Sequence, residues 1–458
     1  MATTRKLPPN KRLTETLAAV LDRRVAAHQR LVLGLSGGID SVVLLHILLE
    51  HQTTHAFHLA CVHVHHGLSP NADLWAGFCE QLCAMHGIPL SIHRVTLNRH
   101  DPAGLEAAAR QARRQVFARI DADFILTAHH QNDQAETLLL QLLRGAGPKG
   151  LAAMPEIQHC AGWNAQQLRP LLSITRADIE YYAQEHALAW VEDESNTNTV
   201  YGRNYLRHTL MPLLSARFPA VVPTLARGAA LQAEAMVLLQ DMANIDAQYC
   251  VAGDRLDCPS LARLSLPRAR NLLRWFIDRH GLRMTSERRL DEGLRQLLHA
   301  SHDARVSLTI NPGTELRRYR GGAYLVSVRA CASQADVLWQ GEPTLRLEQA
   351  GWDVTMNPVR GTGLGLARLN TTHVELGVRQ GGERMRLTKN GVHRSLKNLL
   401  QESALPPWQR ACMPLLWCDG QLAWADGIGF DADYLATADE PGILPVCVAT
   451  VFSATGRD

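Results

Sequence analysis

Residues Leu31–Glu50 read LVLGLSGGIDSVVLLHILLE. The apolar run Leu31–Leu35 predicts a short buried strand, and Ser41–Glu50 predicts a helix. Between them lies Ser36-Gly37-Gly38-Ile39-Asp40-Ser41. A strand, a glycine turn and a helix in that order make the local unit of a parallel α/β sheet. The two glycines let the backbone curl tightly and let an anion approach it with no Cβ in the way. Successive backbone N–H groups and the helix N-terminus then face that anion. Ser36 and Ser41 add hydroxyls. Asp40 beside a phosphate calls for a cation between them, which suggests Mg²⁺. No lysine followed by Ser or Thr comes after the glycines, and there is no G-x-G-x-x-G, so this is neither of the commoner nucleotide loops. The alternative is a tight turn closed by an Asp/Ser cap.

Outward from this unit the pattern repeats. Strands are predicted at Leu59–Val64, Leu90–Val95 and Phe124–Ala128. Helices are predicted at Leu74–His86, Leu105–Ile120 and Asp133–Leu143. This βα alternation implies a parallel, Rossmann-like sheet with helices on both faces, and ligands in such sheets bind beyond the carboxyl ends of the strands. Two strands end there in polar runs, His63-Val64-His65-His66-Gly67 and His129-His130-Gln131-Asn132-Asp133. A zinc site from these histidines is the competing reading, but neither run has the spacing of a metal site. Asp133 and Glu136 share one face of a first helical turn, where two carboxylates suit Mg²⁺, a substrate ammonium group or simply the helix dipole. Arg110, Arg113 and Arg114 lie about one helical turn apart, as a phosphate clamp or a solvated face.

The rhythm changes near Ala216. Helices are predicted at Val221–Tyr249, Leu266–His280 and Ser286–His299, with short strands at Val306–Ile310, Glu315–Tyr319 and Ala323–Val328. Four parts are therefore expected: 1–215, an α/β nucleotide domain; 216–333, mainly helical; 334–365, a linker; and 366–458, a small mixed α/β domain with a basic helix at Ser395–Glu402. At 458 residues the chain exceeds one ordinary domain. Residues 217–329 hold 17 basic and 11 acidic side chains, whereas 1–216 hold 19 of each, so the middle part is the candidate polyanion surface. None of the ten cysteines forms a Cys-x-x-Cys pair, which argues against zinc ribbons and cysteine-bound clusters. Met1–Arg12 is polar and basic, and apolar runs are too short for a membrane helix, so a cytoplasmic protein without membrane contact is expected.

Ser36–Ser41 resembles the PP-loop of the ATP-pyrophosphatase superfamily. The resemblance extends through HVHHGLSPNAD (His63–Asp73), GLEAAARQAR (Gly104–Arg113), LTAHHQNDQAETLLLQLLRGAGPKG (Leu126–Gly150), Arg169–Leu172 and EDESNTNTVYGRNYLR (Glu192–Arg207). It continues in RQGGER (Arg379–Arg384), LKNLLQE (Leu396–Glu402) and PPWQR (Pro406–Arg410). With these segments the chain resembles the bacterial tRNA(Ile)-lysidine synthetases. Many members carry two aspartates where this chain has Asn132-Asp133, so the metal role implied there falls to Asp133.

The resemblance implies a C–N ligase. ATP adenylates the C2 oxygen of the wobble cytidine of an isoleucine tRNA, and the side-chain amine of free lysine displaces AMP. It implies ATP on Ser36, Gly37, Gly38, Ile39, Asp40, Ser41, His63, Arg110 and Arg113, and Mg²⁺ on Asp40 and Asp133. Asp40, Asp133, Glu136, Arg203 and Arg207 then carry the chemistry, with Glu136 or Asp133 taking the amine proton. The middle and C-terminal parts grip tRNA. A different PP-loop enzyme is the first rival: a tRNA thiolase, against which the missing Cys-x-x-Cys pairs count, or an amidotransferase-type synthetase, whose separate amidase domain leaves no signature here. A non-catalytic RNA-binding protein is the second rival, opposed by retention of Ser36–Ser41, Asp133 and Glu136. Monomer and homodimer both stay open.

Overall fold

The computed structural model describes residues 9–97, 104–194, 202–282, 284–299, 306–328, 337–348, 350–403 and 405–449. The chain packs as two units, Met1–Asp241 and Met242–Asp458.

The first unit runs α1 (Pro9–Arg24), β1 (Arg30–Gly34), α2 (Ile39–Gln52), β2 (His58–His65), α3 (Ala72–Met85), β3 (Leu90–Arg94), α4 (Leu105–Ala118), β4 (Phe124–Leu126), α5 (Gln131–Leu143), α6 (Pro148–Leu151), β5 (Ile157–His159), β6 (Gln166–Leu168) and α7 (Arg176–Glu185). The strand order is β3-β2-β1-β4-β6-β5. All neighbours pair parallel except β5 with β6, an antiparallel edge that the βα rhythm did not announce. Strand order reverses between β1 and β4, so a crevice opens there beyond their carboxyl ends. The phosphate loop leaves β1 on one side of it, and the His129–Asp133 run leaves β4 on the other.

Alternation along β1 decides which helices cover which face. Leu31 and Leu33 pack into a core with Leu13, Leu17, Leu44, Leu48, Ile179 and Tyr182, from α1, α2 and α7. Val32 points the other way, onto Val62, Phe117 and Ile125 beneath α4. After α7 the chain continues into α8 (Gly202–Tyr205), a π-helical turn at Leu206–Leu210, and α9 (Met211–Arg217).

A 30-residue helix, Val221–Cys250, carries the chain from the first unit into the second. In the second unit helices Leu266–Arg279 and Glu287–His299 pack on a five-stranded sheet formed within 251–327. Leu290, Leu294 and Leu297 line the buried stripe of Glu287–His299, while Arg288 and Arg289 stay exposed. The remainder holds antiparallel sheets of five and four strands and a two-stranded pair.

The expected linker at 334–365 contains a strand of the C-terminal fold instead. Trp352–Arg360 pairs along its whole length with Pro441–Ala449 and, over Trp352–Thr355, with Thr344–Leu347. Val354 and Met356 alternate into the core beside Leu345, Leu347 and Leu364. Pro358 and the flanking glycines hid this strand. Pro358 is tolerated because it lies beyond the stretch paired to Thr344–Leu347, where a ladder donor is not needed.

No single described helix is long and apolar enough to cross a membrane; Gly202–Arg217 and Val221–Cys250 reach that composition only as a pair bent by 101°.

Candidate active site

Ser36–Ser41 closes on itself. Ser36 N–H donates to Ser41 Oγ at 3.2 Å, Gly38 N–H donates to Ser36 Oγ at 3.3 Å, and Ser41 Oγ donates to Gly38 O at 2.9 Å. Gly37 has φ +85°, and a Cβ there would meet Val191 Cγ2 at 2.8 Å and Cys79 Sγ at 3.3 Å. Val191 N–H also donates to Gly37 O at 3.0 Å. The loop thus requires glycine for its backbone and for its neighbours. Ile39 is the first residue of α2 and its side chain is buried, so what it turns toward an anion is backbone at the helix N-terminus.

His63 lies beneath the loop rather than in the open crevice. It is 5% exposed, and its Nδ1 is 2.9 Å from Leu35 O and 3.6 Å from Cys79 Sγ. Burial lowers its pKa from the usual histidine range. The other histidines of the two runs part company. His65 faces Asp73, His129 faces Thr127 Oγ1, and His130 faces acids. Among the described residues they do not converge as a metal cluster.

Asp133 and Glu136 are both buried on α5. Asp133 Oδ2 accepts from His130 N–H at 3.0 Å, closing a capping box. Arg203 donates Nε to Glu136 at 2.8 Å and Nη2 to Asp133 at 2.8 Å. Arg207, in the π-helical turn, donates Nε to Glu136 at 2.7 Å and Nη2 to Asp133 at 3.1 Å. Burial alone would raise the Asp133 carboxyl, but the fields of His130 and Arg203 outweigh it and hold it at about 2. Burial likewise opposes charge on both arginines, and their carboxylate partners reverse the effect.

Asp40 is different. Burial raises its pKa despite His130 and Arg176 nearby. Arg176 Nη1 sits 2.8 and 2.7 Å from its two oxygens. His130 Nε2 lies 3.7 Å from Asp40 and 3.5 Å from Asp133, so the two acids face a common nitrogen across the crevice. Two carboxylates on one site, one of them costly to ionise, fit a divalent cation.

Arg110 is offset only at a distance, by Glu106 among the described acids. Neither Arg110 nor Arg113 has an ion-pair partner among the described residues. Burial lowers both pKa values, that of Arg113 to about 10, and each is lowered further by Arg203. Burial and Arg113 together push His66 down to about 4. Arg114 instead lies over the Trp163 ring, 5.7 Å from its centroid.

Sequence reasoning missed Arg176 and His130 as partners of Asp40. Arg176 did carry a signal: it opens α7, after the capping Thr175, where the helix dipole disfavours a cation. Asn132 is also explained. Its Oδ1 accepts from Arg176 N–H at 3.0 Å, so it ties α5 to α7 and faces a donor. Of the segment Glu192–Arg207, residues 195–201 lie outside the described residues.

The sequence matches the PP-loop domain family over 9–214, the TilS substrate binding domain over 256–324 and the TilS substrate C-terminal domain over 374–446. It is 40% identical to the tRNA(Ile)-lysidine synthase of Nitrosomonas europaea over 97% of both chains. The chain belongs to the tRNA(Ile)-lysidine synthase family. The synthase of Azoarcus sp. is 42% identical over 93% of this chain and 94% of its own. That of Aromatoleum aromaticum is 42% identical over 92% and 98%. The match to the PP-loop family falls on the unit whose loop and crevice are described above, which is the ATP-binding part of the molecule.

Proposed function

We propose that this chain ligates L-lysine to C2 of the wobble cytidine in the CAU-anticodon isoleucine tRNA, at the cost of ATP, releasing AMP and pyrophosphate. The observation that carries the reading is the arginine surplus. Arg110, Arg113, Arg203 and Arg207 act electrostatically on one another, while among the described residues the ion pairs they form are those of Arg203 and Arg207 with Asp133 and Glu136. A polyphosphate supplies the missing negative charge.

In the first step the C2 oxygen of the base attacks the α-phosphorus, the bond to the β-phosphate oxygen breaks, and pyrophosphate leaves. Ser36–Ser41 and the N-terminus of α2 hold the departing anion. Arg110 and Arg113 meet charge that grows at the α-phosphate. Asp40 and Asp133 would hold Mg²⁺, which neutralises phosphate charge when bound. In the second step the lysine amine attacks C2 and AMP leaves with the former C2 oxygen. The amine proton falls to Glu136 or Asp133, the two buried carboxylates of that turn, both paired with Arg203 and Arg207. The cytidine must leave its stack to reach the crevice, which costs less in an anticodon loop than in a duplex. The basic middle domain and the C-terminal domain grip the tRNA backbone. The reaction belongs in the cytoplasm, where tRNA and ATP are.

One incubation tests this: purified protein, ATP, Mg²⁺, labelled lysine and unmodified isoleucine tRNA. Label in RNA together with AMP supports the reading. AMP without label means another nucleophile, and tRNA binding with neither signal means a non-catalytic RNA-binding protein.

A further inference from the structure

Helix α2 starts at the phosphate loop and ends, about 20 Å away at 1.5 Å per residue, in a cluster that nucleotide chemistry leaves unused. His51 Nε2 lies 3.3 Å from Asp22 Oδ1, and His55 Nε2 lies 3.1 Å from the same oxygen. The three donor atoms all fall within 4.8 Å of one another. We propose that Asp22, His51 and His55 bind one divalent transition-metal ion of the zinc class, with water completing the shell.

Three further observations support a cation here. Asp22 stands in the last turn of α1 and His51 in the last turn of α2, with His55 just beyond, so two helix C-termini aim their carbonyl dipoles at the cluster. The neighbouring cations of α1 are already matched, because Arg23 and Arg24 both donate to Glu156. The three side chains also line a surface cleft whose wall includes Leu21, Val25 and Phe57.

The donor set selects the ion. Two imidazoles and one carboxylate suit zinc, nickel or cobalt rather than magnesium or calcium. Separations of 3.1 and 3.3 Å match the edges of a tetrahedron with bonds of about 2.0–2.1 Å. The rings stack at 3.8 Å with 10° between planes, so one must turn to share an ion. His55, with its side chain 47% exposed against 10% for His51, is the ring with room to do so.

The test uses full-length protein, stripped with chelator and saturated with Mg²⁺ and ATP so that the crevice carboxylates are occupied. Zn²⁺ is titrated against a chromophoric chelator, and Co²⁺ loading is followed by its visible spectrum. Wild type should take up one equivalent that Asp22→Ala and His55→Ala each weaken at least tenfold, with loss of the tetrahedral Co²⁺ bands. Both positions are exposed, so the variants should fold and keep wild-type ligation. His186→Ala, in the separate His46–Glu50–His186 cluster, should change nothing. Equal zinc uptake in wild type and both variants overturns the site, as does loss of the bound equivalent in His186→Ala alone.

Discussion

Arg176 Nη1 spans both carboxylate oxygens of Asp40, at 2.8 and 2.7 Å, across 136 positions of sequence. The contact joins the first turn of α7 to the first turn of α2 over the crevice. Arg176 therefore stands where a cation beside the phosphates is needed. Asp40→Asn should abolish AMP formation while leaving tRNA binding largely intact. Arg176→Ala should slow AMP release about 10²-fold, the usual cost of one electrostatic donor. Unchanged turnover in Asp40→Asn would remove Asp40 from the mechanism.

Arg113 has burial, Arg110 and Arg203 against it and no ion-paired carboxylate among the described residues. Arg113→Ala should raise the KM for ATP at least about tenfold, as loss of a charge-assisted bond does. Thermal stability without ATP should hold or rise, because a repelled cation is removed. A drop in stability with unchanged KM would mark Arg113 as structural.

Glu136 behaves in the opposite way. Glu136→Gln leaves Arg203 and Arg207 under-compensated in a buried setting and should cost about 3 kcal/mol in urea denaturation. ATP phosphates can take up those arginines, so the deficit should shrink at saturating ATP. An equal deficit with and without ATP would separate this pair from the nucleotide site.

Gly37→Ala is strained twice, by φ +85° and by the 2.8 Å approach to Val191 Cγ2. It should cost more than about 1 kcal/mol and weaken ATP binding with secondary structure intact. Circular dichroism and equilibrium binding on one sample separate these effects. Wild-type ATP affinity would mean that the loop tolerates a different conformation.

Acid should unfold the first unit in two stages. Burial lowers the folded-state pKa of His63, and pushes those of His66 and His129 to about 4 and about 3. Between the ordinary histidine value and these, the unfolded chain binds more protons, so stability falls as pH drops below about 6.5. Asp133, held at about 2, contributes stability that is full above about 3.8 and lost as pH falls toward 2. Asp40 opposes this, since its raised pKa favours the folded state on acidification. His66→Gln should flatten the profile between pH 6.5 and 4 in denaturation measured across pH; an unaltered slope there would remove His66 as a cause.

The alternation of apolar runs with helical periods already specified a parallel sheet. Gly37-Gly38 between strand and helix specified an anion loop, because only glycine permits that curl and approach. Asp133 and Glu136 one turn apart could be placed on a common face by helical geometry alone. The strand Trp352–Arg360 was missed because its partners, Thr344–Leu347 and Pro441–Ala449, include one almost a hundred residues away. Pairing over such distances leaves no local period.

Who neutralises whom was decided only in three dimensions. Arg203 and Arg207 reach α5 from about seventy positions away, Arg176 reaches Asp40 from farther still, and Arg110 and Arg113 form no ion pair among the described residues. A residue's type and periodicity set its local conformation, since those depend on near neighbours. Charge balance in a buried crevice depends on which elements the strand order brings together at the β1–β4 reversal, and that is settled by packing of the whole sheet.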